Sequence, residues 1–407
     1  MRLVVLGGSG SSTPELADAL ADWPGGLDRR PDLDVVLVGR STGKLDVVGR
    51  EFRARAGVAG PPISVSWTED RRAALDGADV VLNQVRVGGL DARVFDETFP
   101  WDLDLPGEET MGPGGFANAL RTVPAQAATW DDVRAASPDA LVINLTNPAG
   151  IVQQAAQRGW PGLRIVSVCD APVTFTRAIA ERLGWPVSRV IARYVGMNHC
   201  GWFVPEDEGD LERLADLVVG MDREVVFAHR ALPTPYVRYY VDPTRQLAAQ
   251  RGRESRAEQL KAIDAALLGA YASGPTAERQ KRGAVWYALV VAPLLDGWVH
   301  GSSEPMVLGT TNLGRLPEVP DPAMIEVAHR LVPGGFEPLD PPARPELPAL
   351  LLARHGAYEA LAAEALAPGA TRTASLRALL ANPMVPGWTA AAGLLQAIEE
   401  RSPAGAA

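Results

Sequence analysis

The sequence predicts an α/β protein: an open, doubly wound, mostly parallel sheet followed by a mostly helical second lobe with a few extra strands. Three observations predict it. A short apolar run over 2–6 passes straight into a glycine-rich turn and then a helical pattern. Five further short runs rich in Val, Ile and Leu come next, separated by helical patterns, as befits strands buried on both faces. From about residue 200 the texture shifts to long Ala/Leu/Glu/Arg stretches broken by proline-rich connectors.

The first turn is Gly7-Gly8-Ser9-Gly10. Pro14-Glu15-Leu16-Ala17 then opens a helix, with Thr13 as its N-cap and Pro14 in its first turn. The second strand is expected at Asp34–Val38, one βαβ unit downstream. The next four are expected at Ile63–Trp67, Asp79–Leu82, Leu141–Leu145 and Leu163–Val168. In the second lobe, Arg256–Leu268, Ala284–Leu295 and Leu351–Leu366 read as helices. Leu316–Pro322 and Glu337–Pro348 read as connectors, and the tail Ser402–Ala407 as frayed.

A length of 407 residues suits two domains, or one large unit with an appended lobe. With 47% hydrophobic and 22% charged residues, the chain has the balance of an ordinary globular protein. It contains no apolar run long enough for a bilayer, and its start lacks a signal-peptide pattern, so a cytoplasmic protein without a membrane partner is expected. A net charge of −10 argues against nucleic acid, whose backbone needs clustered Lys and Arg. A small phosphorylated ligand is compatible with it, since two or three placed arginines suffice. The two cysteines, Cys169 and Cys200, exclude a disulfide scaffold and read as buried spectators or ligands.

A glycine-rich turn between strand and helix sets backbone N–H groups and a helix N-terminus against a pyrophosphate. Gly7, Gly8, Ser9, Gly10 and Ser11 are therefore candidate cofactor contacts of a Rossmann-type domain over 1–195, with a substrate, catalytic and oligomerisation domain over 196–407. The spacing Gly8-x-Gly10-x-x-Thr13 puts threonine where a third glycine is usual, and a tight turn in any α/β protein is the bland alternative. The second strand should end in a carboxylate for the ribose. It reads Val38-Gly39-Arg40-Ser41-Thr42 instead. Arg40 with Ser41 and Thr42 could hold a 2′-phosphate, stack on adenine or lie solvated, which leaves NAD and NADP both open.

The most informative block runs from Asn83 through Gln84, Arg86, Gly88, Gly89 and Arg93 to Asp96-Glu97. It continues as Gly107-Glu108-Glu109-Thr110-Met111-Gly112-Pro113-Gly114-Gly115. So many glycines and charges after the fourth strand suit a loop at the carboxyl edge of the sheet. Thr146-Asn147-Pro148 ends the fifth strand, Cys169-Asp170 the sixth, and Asn198-His199-Cys200-Gly201-Trp202 comes after them. Together these segments resemble glycoside hydrolase family 4. That family carries Q-x-R-x-G-G-x-x-x-R, G-x-E-T-x-G-x-G-G, T-N-P, a cysteine at a strand end and N-H-x-G-W. The likeness continues in order through Pro235–Tyr240, Arg256-Ala257-Glu258, Asn312-Leu313-Gly314, Asp321–Val327 and Tyr358-Glu359.

The resemblance implies a dehydrogenase-like architecture, that of the lactate and malate enzymes, together with NAD and Mn²⁺ or another first-row divalent ion. It assigns Cys169 and His199 to the metal, and a thiolate with a neutral imidazole suits such an ion. Taken singly, they would read as a buried small hydrophobe and a hydrogen-bonded core imidazole. It assigns Tyr236 as the base, with Glu109 close enough to tune it and Tyr239 and Tyr240 as competitors. Arg93, Asn147, Arg256 and Asn198 match substrate positions; surface ion pairing is the ordinary fate of such arginines. Asp170 stands where some members keep a general acid, and it could equally be a cap. Cys200 reads as packing.

The implied reaction is hydrolysis of a phosphorylated disaccharide or glucoside by oxidation at C3, deprotonation at C2, elimination, water addition and re-reduction. Most glycosidases use paired carboxylates, and the NAD-dependent family is an exception. The interval from His199 to Tyr236, 37 residues (236 − 199), points to 6-phospho-β-glucosides, whereas Asp170 points to the α-specific branch. Relatives imply a homodimer or homotetramer. The rivals are an NAD(P)-dependent hydroxy-acid dehydrogenase on the same fold and a non-catalytic sugar-phosphate sensor.

Overall fold

A computed structural model describes residues 1–57, 62–273 and 283–402. The expected frayed tail beyond Ser402 lies outside the described residues. The N-terminal half lays down six parallel strands: β1 (Arg2–Leu6), β2 (Leu33–Val38), β3 (Ile63–Thr68), β4 (Val80–Asn83), β5 (Leu141–Asn144) and β6 (Ile165–Ser167). Their side chains alternate between two buried layers. Leu3, Val5, Val35 and Leu37 enter one, and Val4, Leu6, Val36 and Val38 enter the other. Burial on both faces is why these runs read as continuously apolar, except at the edge strand β3, where Ser64 and Ser66 are exposed.

The strands β7 (Tyr194–Met197), β8 (Cys200–Phe203), β9 (Leu232–Pro233), β10 (Ser302–Thr311), β11 (Met324–Val332) and β12 (Gly335–Pro338) extend the same sheet antiparallel. Its order is β3-β2-β1-β4-β5-β6-β10-β11-β7-β8-β9, with β12 on β11. Residue 195, the expected domain boundary, falls within β7. Helices Arg256–Ser273, Glu346–Ala365, Arg372–Ala381 and Trp388–Arg401 supply the expected helical character of the second half. Strand order reverses between β1 and β4, the switch point where such sheets open a crevice at their carboxyl ends.

Local departures from expectation have physical causes. Thr13 does not cap the helix Pro14–Ala21: its backbone is already helical, and its hydroxyl accepts from Gln84 Nε2 at 3.1 Å, tying the turn to the end of β4. The helix expected over Ala284–Leu295 is a π-turn at Tyr287–Val291 followed by an α-helix at Ala292–His300. Pro293, which lacks an amide hydrogen, lies at that junction. The expected carboxyl-edge loop after β4 is partly a helix, Gly89–Thr98, which carries Arg93, Asp96 and Glu97. Among the described residues no helix is long and apolar enough to cross a membrane.

The segment bearing Glu108 and Glu109 is pressed against that helix. A Cβ at Gly114 would lie 2.2 Å from the Asp96 carbonyl oxygen and 2.3 Å from that of Glu108, so no side chain fits there. Gly114→Ala should therefore destabilise the fold by about 1–3 kcal/mol, as overpacking against fixed backbone does. Denaturant unfolding checks this, and an unchanged midpoint would contradict the close approach.

Candidate active site

A cavity of about 1270 Å³ opens along the carboxyl ends of β1, β2, β4, β5 and β6. The turn after β1 contributes Gly7, Ser9, Gly10 and Ser11, and the end of β2 contributes Arg40 and Lys44. Gly8 does not line the cavity; its amide donates to the Val38 carbonyl at 2.8 Å, fastening the turn to β2. Ser11 donates to Asp264 Oδ1 at 2.6 Å.

Farther along the edge, Cys169 lies just past β6 and His199 sits in the two-residue turn joining β7 to β8. Cys169 Sγ and His199 Nε2 are 3.9 Å apart. His199 holds φ at 59°, a left-handed backbone uncommon outside glycine and often found at functional sites. Burial lowers the His199 pKa to about 3, against the pull of the Glu109 charge, so the ring is neutral. Burial raises the Cys169 pKa well above its usual value, and the charges of Asp170 and Glu326 raise it further. The thiol also points at Asp170 Oδ1, 3.8 Å away. Soft sulfur beside a neutral imidazole nitrogen could hold a first-row divalent cation that displaces the thiol proton. Among the described residues no group of three or more His, Cys, Asp or Glu is placed to hold a metal ion.

Tyr236 stacks flat on His199, with centroids 3.6 Å apart and planes 6° from parallel. Tyr239 and Tyr240 are turned elsewhere: neither lines the cavity, and the Tyr240 hydroxyl lies 3.3 Å from His355 Nδ1. Burial pushes the Tyr236 phenol well up, and the charges of Cys169, Glu108, Asp170 and Glu109 push the same way. The chain by itself thus keeps this phenol protonated, and added positive charge must reverse that.

Glu109 is buried between Arg86 and Arg93, with Arg93 Nη1 2.8 Å from Oε1. Burial opposes its charge, but the two guanidinium groups prevail and hold its pKa at about 2. Arg93 also gives its Nε to Glu97 at 2.6 Å, so much of its hydrogen-bonding capacity is committed within the protein. Arg86, 34% exposed, is the more open of the two. Asn147 and Asp170 line the cavity.

Two expected substrate residues do not. Arg256 is exposed and bonds Gln259 at 3.2 Å, because its helix docks through the Ala257 amide onto Glu97 and leaves Arg256 in solvent. Asn198 turns into the protein, donating to Glu326 Oε1 at 2.9 Å. Cys200 is fully buried core, as expected. Glu108 went unassigned in the sequence although it lines the cavity with Oε2 3.9 Å from His199 Nδ1, because it occupies a variable motif slot. Arg86 was visible in its motif but had no role there.

The Family 4 glycosyl hydrolase model matches residues 4–185, and that of the Family 4 glycosyl hydrolase C-terminal domain matches 194–385. A probable 6-phospho-beta-glucosidase of Bacillus subtilis (strain 168) is 30% identical, covering 98% of this chain and 96% of its own. The chain belongs to glycosyl hydrolase family 4. Other members of family 4 are similarly distant. A phospho-alpha-glucosidase of Clostridium acetobutylicum is 27% identical, covering 98% of this chain and 97% of its own. The structure of the Thermotoga maritima 6-phospho-beta glucosidase with manganese, NAD⁺ and glucose-6-phosphate superimposes with a TM-score of 0.86 at 27% identity, covering 98% of each chain. Malate dehydrogenase of Naegleria fowleri, covering 90% of this chain and 98% of its own, matches at a TM-score of 0.52 and 14% identity, a likeness of fold alone. This family 4 chain is thus an O-glycosyl hydrolase on a dehydrogenase-like sheet.

The depressed pKa of Glu109 bears directly on stability. Its ion pairs stabilise the fold above the ordinary carboxylate value of 4.5, and that contribution is lost as pH falls toward about 2. Glu109→Gln should lower the unfolding temperature at pH 7 and flatten the acid limb of the stability–pH curve across that window. An acid limb as steep as that of the parent protein would contradict the assignment.

Proposed function

We propose that the chain hydrolyses a 6-phospho-β-glucoside to glucose 6-phosphate and aglycone. The observation that carries this reading is the Cys169 thiol beside the His199 imidazole, with Tyr236 stacked on that imidazole and arginines at the cavity wall. Gly7, Ser9, Gly10 and Ser11 would hold NAD by its pyrophosphate, and Cys169 with His199 would hold Mn²⁺. Bound there, the nicotinamide supplies reversible hydride transfer at the sugar C3, and the cation supplies Lewis acidity.

The chain's own groups do the rest. The Tyr236 phenolate oxygen removes the C2 proton, and Asp170 gives a proton to the departing glycosidic oxygen. Arg86, Arg93 and Asn147 bind the 6-phosphate, the guanidinium groups being planar donors suited to it. Glu109 sets the orientation of both arginines. Asn198, anchored on Glu326, steadies the turn that carries His199. The α-glucoside alternative keeps one supporting observation, the carboxylate of Asp170 lining the cavity beside Cys169. Similarity to bacterial relatives supports a cytoplasmic location. Exposed Leu347, Leu350 and Trp388 support assembly into a homodimer or homotetramer.

Chromogenic α- and β-glucosides, with and without 6-phosphate, test this in the presence of Mn²⁺, NAD⁺ and a thiol reductant. Aglycone should be released from the 6-phospho-β compound without net NADH. Tyr236→Phe should lower kcat by about 10²–10⁴-fold. Full-speed hydrolysis after chelation and removal of dinucleotide would overturn the proposal.

A further inference from the structure

We propose that the adenosine end of the cavity is built for a 2′-phosphate, so that this chain takes NADP in preference to NAD. The inference rests on the dinucleotide reading above and concerns only which dinucleotide enters.

In sheets of this topology the second strand ends in a carboxylate that accepts from the ribose 2′-hydroxyl and repels a phosphate placed there. Here β2 ends at Val38, and the next residue is Gly39. A Cβ at position 39 would lie 2.9 Å from Ser9 Oγ, 3.0 Å from Ser9 Cβ and 3.2 Å from Leu45 Cδ1, so a side chain there would have to push the Ser9 and Leu45 side chains aside. Ser9 belongs to the phosphate-facing turn, which is fastened down by the Gly7 and Gly8 amides donating to the Val38 carbonyl at 3.0 and 2.8 Å. The packing of that turn therefore crowds the place that the ribose carboxylate would ordinarily take.

Beyond Gly39 the chain brings the opposite charge. Arg40, Ser41 and Lys44 all line the cavity. Ser41 makes no side-chain capping bond to the helix Thr42–Ala56, whose first turn carries no acid. Two cations and a hydroxyl thus stand around the site of the ribose edge. Other charged groups facing it come from the neighbouring strand. Arg71 is neutralised by Asp132, with Nη2 2.5 Å and Nε 2.8 Å from Oδ2. Glu69 accepts a hydrogen bond from the Thr42 hydroxyl. Arg40, Lys44 and the Ser41 hydroxyl thus give this end of the cavity a donor set that suits a phosphate carrying close to two negative charges better than a neutral hydroxyl.

Isothermal titration of the full chain with NADP⁺, NAD⁺, adenosine 2′,5′-bisphosphate and 5′-AMP tests this without any turnover. NADP⁺ should bind more tightly than NAD⁺, and the bisphosphate more tightly than 5′-AMP, by on the order of tenfold. Arg40→Gln with Lys44→Gln should erase both differences, and circular dichroism checks that the double variant is folded. Tighter binding of NAD⁺ than of NADP⁺ by the parent chain would overturn the proposal while leaving the glycosidase reading intact, with Glu69 then the acceptor for the 2′-hydroxyl. A preference for NADP⁺ that survives in the double variant would also overturn it. Failure of both dinucleotides to bind would overturn this proposal and the cofactor reading together.

Discussion

Ser167 and Gly309 pair across the seam where parallel strands give way to antiparallel ones, and the active site exists because of that pairing. β6 ends at Ser167, and the chain delivers Cys169 two residues later. β10 and β11 then carry the sheet across to β7, whose hairpin turn holds His199. Glu326 on β11 pins that turn from beneath, accepting from the Tyr194 hydroxyl and from Asn198 Nδ2, both at 2.9 Å. A thiol and an imidazole from opposite sides of the seam are thereby held within reach of one ion. A slip of one residue at β11 would turn Glu326 to the other face and release the turn, since side chains alternate along a strand.

The electrostatics of the pocket explain why such a pair needs a partner from outside. Burial and neighbouring carboxylates keep both the Cys169 thiol and the Tyr236 phenol protonated. Burial and the charge of Glu109 likewise raise Glu108 to about 7, against the backbone amides of Thr110 and Met111 that bond it. Glu109, clasped by two arginines, is held in the opposite sense, well below the usual carboxylate range. A cation held by Cys169 and His199 would favour the thiolate, and its positive field would lower the cost of ionising the phenol stacked on His199.

The parallel half was legible because its strands, the edge strand β3 excepted, are buried on both faces and so read as apolar runs within a residue or two of their true ends. The antiparallel half was harder. β10 begins with the partly exposed Ser-Ser-Glu-Pro, and β11 mixes Glu326, His329 and the exposed Arg330 among its apolar residues, so neither reads as an unbroken apolar run. Cys169, His199 and Tyr236 were singled out through local motifs, which survive in any single sequence, and the fold brings the three together. The positions of Asn198 and Arg256 away from the cavity could not be read in the sequence, because they depend on Glu326 and Glu97, partners far away in the chain. The pairing of Thr13 with Gln84 was hidden for the same reason. Gly39 looked like a missing acid, and its closeness to Ser9 shows that a side chain there would crowd the turn.

Manganese K-edge X-ray absorption on the Mn²⁺-loaded, dinucleotide-bound protein examines the thiol–imidazole pair most directly. One sulfur and one imidazole nitrogen should appear among the manganese neighbours, with the sulfur contribution vanishing in Cys169→Ser. An all-oxygen shell, the same in both proteins, would mean that Cys169 and His199 do not grip the ion and that the chemistry proposed for this cavity is wrong.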